Sequence, residues 1–221
     1  MDQSRGPDTS NRHRDYTAPR RGVAAGTLAF TRGARDVDIY AGETSDRLFT
    51  ARFQGGGPKV SVIGKSAVEV HYRFGRPRTQ ALIQLNPAVV WAIQIWGEAG
   101  HLNADLTGLA LASISIDGGA SDITLRLPEP GARVPVRIGR GASRVTILRP
   151  PGVPAGLDIK KGASRLVFDE ERFGALGGDI RLKSPTGNRS SGQYDIDVGG
   201  GASGMSVGIA HPATTFQEEE R

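Results

Sequence analysis

Four copies of one triplet carry residue types that could do chemistry: Gly119-Ala120-Ser121, Gly141-Ala142-Ser143, Gly162-Ala163-Ser164 and Gly201-Ala202-Ser203. A glycine followed closely by a serine suits a phosphate cradle, a nucleophile on a tight turn, or a structural corner. A nucleophilic serine needs a base. The four histidines, His13, His71, His101 and His211, lie far apart and share no motif, so neither a triad nor a histidine metal site is expected. Gly199, Gly201 and Gly204 satisfy G-x-G-x-x-G after "YDIDV" (194–198), yet a dinucleotide site needs a helix next, and "MSVGIAHP" reads as strand. Asp105, Asp117, Asp122 and Asp158 do not recur at equivalent positions, as the carboxylate cluster of a sugar-cleaving solenoid would require. Gly177-Gly178-Asp179 is one isolated approach to a calcium-binding repeat, and Ala104-Asp105-Leu106 one isolated pentapeptide-like unit. Asn188-Arg189-Ser190 fits a glycosylation sequon by chance. No catalytic, cofactor-binding or metal-binding residue is expected, and the chain reads as a non-enzyme.

The triplet has a period, and the period assigns it to architecture. Its glycines sit at 119, 141, 162 and 201, spaced by 22, 21 and 39 residues. The first three copies are each followed by an alternating apolar pair: Ile123 and Leu125, Val145 and Ile147, Leu166 and Phe168. Val136 with Ile138, and Leu157 with Ile159, precede the corners at 141 and 162. Alternation with period two, bounded by glycine and proline, is strand patterning, and no helical stretch of useful length occurs. Weaker copies lie at 28–40, 60–72 and 91–106, with Gly97 22 residues before Gly119. The expected fold is all-β: a parallel β-solenoid of about eight coils, roughly 20–22 residues each, stacked about 4.8 Å apart. In it the twelve triplet residues are structural corners, glycine supplying a left-handed turn, alanine stacking closely and serine satisfying backbone groups.

A simple stack in chain order predicts particular neighbours. Asp122 falls over Arg144 and Arg137 over Asp158, both favourable, while Arg144 over Arg165 is unfavourable. The alanines at 120, 142 and 163 should then lie one coil apart. Residues 22–32 and 205–216 are the expected caps of the open ends, and 165–200 holds either an irregular coil or a loop.

Composition bounds the rest. With 221 residues the chain suits one domain, read as a disordered tail (1–21), the solenoid (22–211) and a polar tail (212–221). There is no cysteine, which excludes disulfides, thiolate zinc sites and thiol catalysis. The net charge of +5 comes mainly from arginines scattered without interleaved aromatics, so no nucleic-acid partner is expected. The longest apolar run, "AVVWAIQIW" (88–96), is too short for a membrane span, and no signal-peptide core is seen, so a cytoplasmic chain with peripheral envelope association is expected.

The stretch "WAIQIWGEAGHLNADLTGLALASISIDGGASDITLRLPEP", with "RGASRVTILRPPGV", "KGASRLVFDEERFGALGG" and "YDIDVGGGASGMSV", resembles the putative-adhesin β-helical domains common in actinobacteria. These are similar to the C-terminal domain of LiaF-type cell-wall-stress proteins. The resemblance covers about residues 80–207 and implies a right-handed β-helix without catalytic residues. The expected function is an interaction scaffold or regulator with an unidentified protein partner. The alternatives are a bactofilin-like filament that self-associates through its ends, and a carbohydrate-binding or carbohydrate-active β-helix.

Overall fold

The computed structural model describes residues 13–54, 57–72, 80–185 and 192–210. Apolar alternation produces strands throughout, with no helix among the described residues. In chain order they begin β1 (His13–Pro19), β2 (Ala25–Phe30), β3 (Ala34–Ala41), β4 (Arg47–Gln54), β5 (Lys59–Ile63), β6 (Ala67–His71) and β7 (Ala81–Leu85). The regular middle follows as β8 (Val90–Ile95), β9 (Ala99–Asp105), β10 (Ala110–Ile116), β11 (Ala120–Arg126), β12 (Arg133–Ile138) and β13 (Ala142–Arg149). The last are β14 (Ala155–Ile159), β15 (Ala163–Phe168), β16 (Glu171–Leu176), β17 (Ile180–Lys183), β18 (Gln193–Val198), β19 (Ala202–Ser203) and β20 (Ser206–Ile209). They form two sheets of 11 and 9 strands. Most coils place one strand in each sheet, and alternate residues of both fill a single apolar core.

The levels do not stack in chain order. In the smaller sheet the order is β17-β14-β18-β12-β10-β8-β2-β6-β5, and the larger sheet follows the same plan. The last coil, β18 to β20, therefore slots between the coil of β12 and β13 and the coil of β14 and β15. At the other end, β2 and β3 lie inside β6 and β7. The sequence period cannot distinguish these orders, because every coil carries the same pattern; the side chains can. Arg137 lies beside Asp197, not Asp158. Arg133 pairs with Asp195 at 2.9 Å. Gly204 intervenes where Arg144 would have met Arg165, so insertion removes the like-charge contact. Asp122 does face Arg144, whose Nη2 donates to Oδ2 at 2.7 Å. The alanines at 142 and 163 are separated by Ala202, hence two levels apart.

The ends are closed by antiparallel strands. β1 and β4 cover the larger sheet at one end, with the β5–β6 hairpin turning at Gly64 beside them in the smaller sheet. β16 and β17 cover the other end. These, rather than 22–32 and the described part of 205–216, are the caps among the described residues; β2 and β20 are interior strands, and 211–216 lie outside the described residues. The segment 60–72 is likewise a hairpin and not a corner between two coils. Residues 13–19, expected in the disordered tail, form β1 because Tyr16 packs edge-on against Phe53 and Asp15 pairs with Arg52. Residues 1–12 and 211–221 lie outside the described residues, as do His211 and Asn188-Arg189-Ser190.

Candidate functional site

The corners are built by backbone approach. Ala34, Ala99, Ala120, Ala142, Ala202 and Ala163 form one buried column. At each step an alanine N–H donates to the adjoining level: Ala120 to the Gly141 carbonyl (2.9 Å), Ala142 to Gly201 (3.0 Å) and Ala202 to Gly162 (3.0 Å). The left-handed residue is not, in general, the triplet's glycine. It is the residue after the serine: Asp122 (φ 55°), Arg144 (51°), Arg165 (52°) and Gly204 (62°). That residue interrupts the alternation, so alanine and the apolar residue three places on both point inward while two side chains in between face out. Where a glycine precedes the triplet, as Gly118 and Gly200 do, it is the one needed for space; at 162 it is the triplet's own glycine, whose Cβ would fall 2.5 Å from the Leu176 oxygen. A Cβ on Gly118 would lie 2.5 Å from the Gly97 carbonyl oxygen, whereas one on Gly119 would meet the Gly141 oxygen at 3.4 Å, an ordinary contact. Gly118→Ala should therefore cost about 1–3 kcal/mol by forcing backbone shifts, and Gly119→Ala much less; urea denaturation of both variants checks this.

The serines line a shallow groove of about 490 Å³ that includes Ser143, Ser203, Ser164 and Lys161. Ser164 Oγ donates to Ser203 Oγ at 3.1 Å, and Arg165 Nη2 donates to the same Ser203 Oγ at 3.3 Å. Ser121 and Ser143 continue the column. The structure brings His101, on the preceding coil, to the level next to Asp122 and Ser121. Among the described residues, however, His101 is exposed and hydrogen-bonds to neither, so no activated serine results. His71 Nδ1 lies 2.7 Å from Thr31 Oγ1, and His13 begins β1.

The carboxylates are each engaged in structure. Asp105 accepts from Thr107, Asp117 from Ser115, and Asp158 lies between Lys160 (2.9 Å) and Arg181 (3.3 Å). Among the described residues no group of three His, Asp or Glu side chains could hold a metal ion. Hydrogen bonds from cations hold three carboxyls below the usual range: the exposed Asp15 through Arg52, and the half-buried Asp122 through Arg144 and Asp158 through Lys160. Their folded values are depressed, so their stabilisation is complete above the ordinary aspartate range near about pH 4 and fades as pH falls through the lowered values. Stability at pH 5 and at pH 7 should therefore match as far as these groups are concerned, with any loss confined to stronger acid; urea midpoints at pH 7, pH 5 and about pH 3 read it. The glycines of G-x-G-x-x-G serve the same packing, since a Cβ on Gly199 would lie 2.4 Å from the Gly139 oxygen and β20, not a helix, follows.

Two polar staples carry the caps. Arg149 is only 2 % exposed, at the inward position two after Ile147. Its Nε donates to the Val153 carbonyl (2.7 Å), and its Nη2 donates to Ser184 Oγ (2.6 Å) and forms an ion pair with Asp169 Oδ1 at 2.6 Å. Ser184 in turn donates to Asp169 (2.9 Å), tying the end of β17 to β13 and β15. The signal was present: strict alternation from Val145 through Ile147 aims Arg149 into the core. At the opposite cap, Asn86 donates to the Ser45 and Arg47 carbonyls and accepts from Ala88 N–H. Its own carbonyl accepts the Trp91 indole N–H at 3.0 Å.

A surface hollow lies on the larger sheet beside this second cap. It has a volume near 390 Å³ and is crossed by β1, β4, β7 and β3. Register aligns two rows of side chains in it, Thr17–Thr50–Gln84–Tyr40 and Asp15–Arg52–Leu82, the second continued just outside the hollow by Asp38. A neighbouring hollow of about 540 Å³ shares Arg47, Thr50 and Gln84. Nothing in the sequence pointed here, because the rows join strands distant along the chain.

Capped sheets around one apolar core, periodic backbone corners and a polar groove define a β-helix-like stack whose outer surface is the candidate for function. The model of the toast_rack N-terminal domain (DUF2154) matches residues 9–148, well over half of the chain, and the chain belongs to that family. No curated protein matches it. A crystal structure of a putative cell adhesion protein from Clostridium sporogenes is 16 % identical, covers 90 % of this chain and 100 % of its own, and superposes with a TM-score of 0.70. A putative adhesin from Bacteroides fragilis is 9 % identical over 92 % of this chain and 99 % of its own, with a TM-score of 0.35. The first likeness bears on the fold, which is all-β and β-helix-like. Among the described residues no helix is long and apolar enough to cross a membrane.

Proposed function

We propose that the chain is a non-enzymatic, adhesin-like scaffold of the bacterial envelope that offers the outer face of its larger sheet to a partner. The observation carrying this reading is the combination of capped ends with a formed polar groove. Arg14, Asp15 and Pro19 on β1, Lys59 on β5, Glu171 and Arg172 on β16, and Arg181 and Lys183 on β17 mark the outermost strands, a pattern that discourages edge-to-edge addition. Filament growth through the ends is therefore disfavoured against a monomeric scaffold. Membership of the toast_rack family and the fold shared with a cell adhesion protein support the envelope setting. The finer reading, drawn from the sequence resemblance, is an actinobacterial LiaF-like regulator, cytoplasmic and peripherally associated, wound right-handed in about eight levels if one set of caps counts as a level. The triplet corners are architectural in this reading, and the chain needs no cofactor.

Purified full-length chain should co-sediment with bacterial envelope fragments, release no reducing sugar from them, and elute alone as a monomer. Concentration-dependent rods in negative stain, with no retention on envelope fragments, would replace the scaffold with the filament.

A further inference from the structure

The scaffold reading leaves the ligand unnamed, and the groove on the larger sheet narrows it. Four strands lie side by side there, so their outward side chains repeat at the inter-strand spacing of about 4.8 Å. That spacing is close to the length of one pyranose ring in an extended glycan. The lining is polar but balanced in charge. Arg52 is satisfied by Asp15, with Nε to Oδ1 at 3.0 Å and Nη2 to Oδ2 at 3.3 Å. Arg47 makes no ion pair among the described residues; Asp38, opposite Leu82 and just beyond the lining, balances its charge in number. An anionic polymer would find little net positive charge here.

The remaining groups favour hydroxyls. Thr50 Oγ1 donates to Gln84 Oε1 at 2.7 Å, which orients the Gln84 amide so that its N–H groups are available to donate. Thr17 Oγ1 donates to the Phe49 carbonyl at 3.1 Å, leaving its lone pairs to accept. Tyr40, half-buried at the end of that row, adds an aromatic ring against which the C–H face of a sugar can pack. Donors, acceptors and one ring, without net charge, match a molecule whose hydroxyls each donate and accept.

Among the described residues, three other surface features differ from this combination. The outer face of the smaller sheet carries the ion pairs Arg133–Asp195, Arg137–Asp197 and Arg181–Asp158. The groove at the serine corners is shallow and lined mainly by small residues. Trp96 is exposed on a corner, apart from both hollows.

We propose that the Tyr40–Gln84–Thr50–Thr17 row binds a neutral linear polysaccharide running along the stack, one sugar ring to a strand. This rests on the scaffold reading and gives it a ligand class. The test is titration calorimetry of the full-length chain with cellohexaose, chitohexaose and maltohexaose, and with glucose. At least one hexasaccharide should saturate while glucose does not, because single-ring contact uses only part of the row. Tyr40→Ala and Gln84→Ala should each weaken that binding about tenfold or more, with far-ultraviolet circular dichroism unchanged; Ser115→Ala, on the other sheet, should leave it intact. Failure of all three hexasaccharides to saturate, or wild-type affinity in both Tyr40→Ala and Gln84→Ala, overturns the proposal. If envelope fragments still retain the chain in that case, the scaffold stands with a protein partner and only the polysaccharide falls.

Discussion

Replacing Asp169 with alanine is expected to destabilise the protein by about 3–5 kcal/mol, read as a lowered urea midpoint. The reason is not the strength of the ion pair but what its removal leaves behind. Arg149 is 2 % exposed and its guanidinium cannot reach water without disturbing β13. Asp169 supplies the compensating charge at 2.6 Å, while Ser184 and the Val153 carbonyl satisfy further N–H groups. Without the carboxylate a buried cation stands uncompensated. Replacing both partners, as Arg149→Met with Asp169→Leu, should recover most of the loss, because packed apolar groups avoid the desolvation cost of the pair. Ser184→Ala removes hydrogen bonds but no charge, and about 1 kcal/mol is expected. If the double replacement were as damaging as Asp169→Ala alone, the buried-charge explanation would be wrong.

Trp91→Ala is the second large effect, again about 3–5 kcal/mol. Trp91 has no exposed surface and sits at the same register as Gly26 on one side and Leu111 on the other. Gly26 has no side chain for a reason: its Cβ would fall 2.9 Å from Trp91 Cζ3. Removing the indole therefore leaves a cavity that a glycine cannot fill, and it also frees the Asn86 carbonyl. Trp91→Phe keeps most of the ring and loses the N–H donor, so a smaller cost of about 1–3 kcal/mol is expected. Differential scanning calorimetry of the two variants separates volume from hydrogen bonding.

How far these features could be read from the sequence depended on whether they repeat. Ile123, Val145 and Leu166 follow identical triplets, and all three are buried core residues. The period made strand, corner and inward face legible before any coordinates. It could not order the levels, since coils with the same pattern are interchangeable by pattern alone. Asp195, Asp197 and Gly204 chose the order, through charges and a missing side chain facing strands far away in the chain. The groove was illegible for a related reason. Thr17, Thr50, Gln84 and Tyr40 become neighbours only after an antiparallel cap folds onto a parallel sheet, and no local periodicity announces such a cap. Arg149 lay between these cases: alternation aimed it inward, but its partners Asp169 and Ser184 came from the far cap.

The claim on which everything else rests is that identical corners stack with the last coil inserted between its two predecessors. The chain has no cysteine of its own, so introduced pairs report directly. Corners on adjacent levels lie about 4.8 Å apart, within disulfide reach, whereas corners two levels apart exceed the roughly 7 Å limit between Cα atoms. Ser143→Cys with Ser203→Cys, and Ser164→Cys with Ser203→Cys, should each oxidise to an intramolecular disulfide, seen as a mobility shift on a non-reducing gel. Ser143→Cys with Ser164→Cys should remain reduced. Closure of the 143–164 pair together with failure of the 143–203 pair would contradict the inserted coil and restore a stack in chain order.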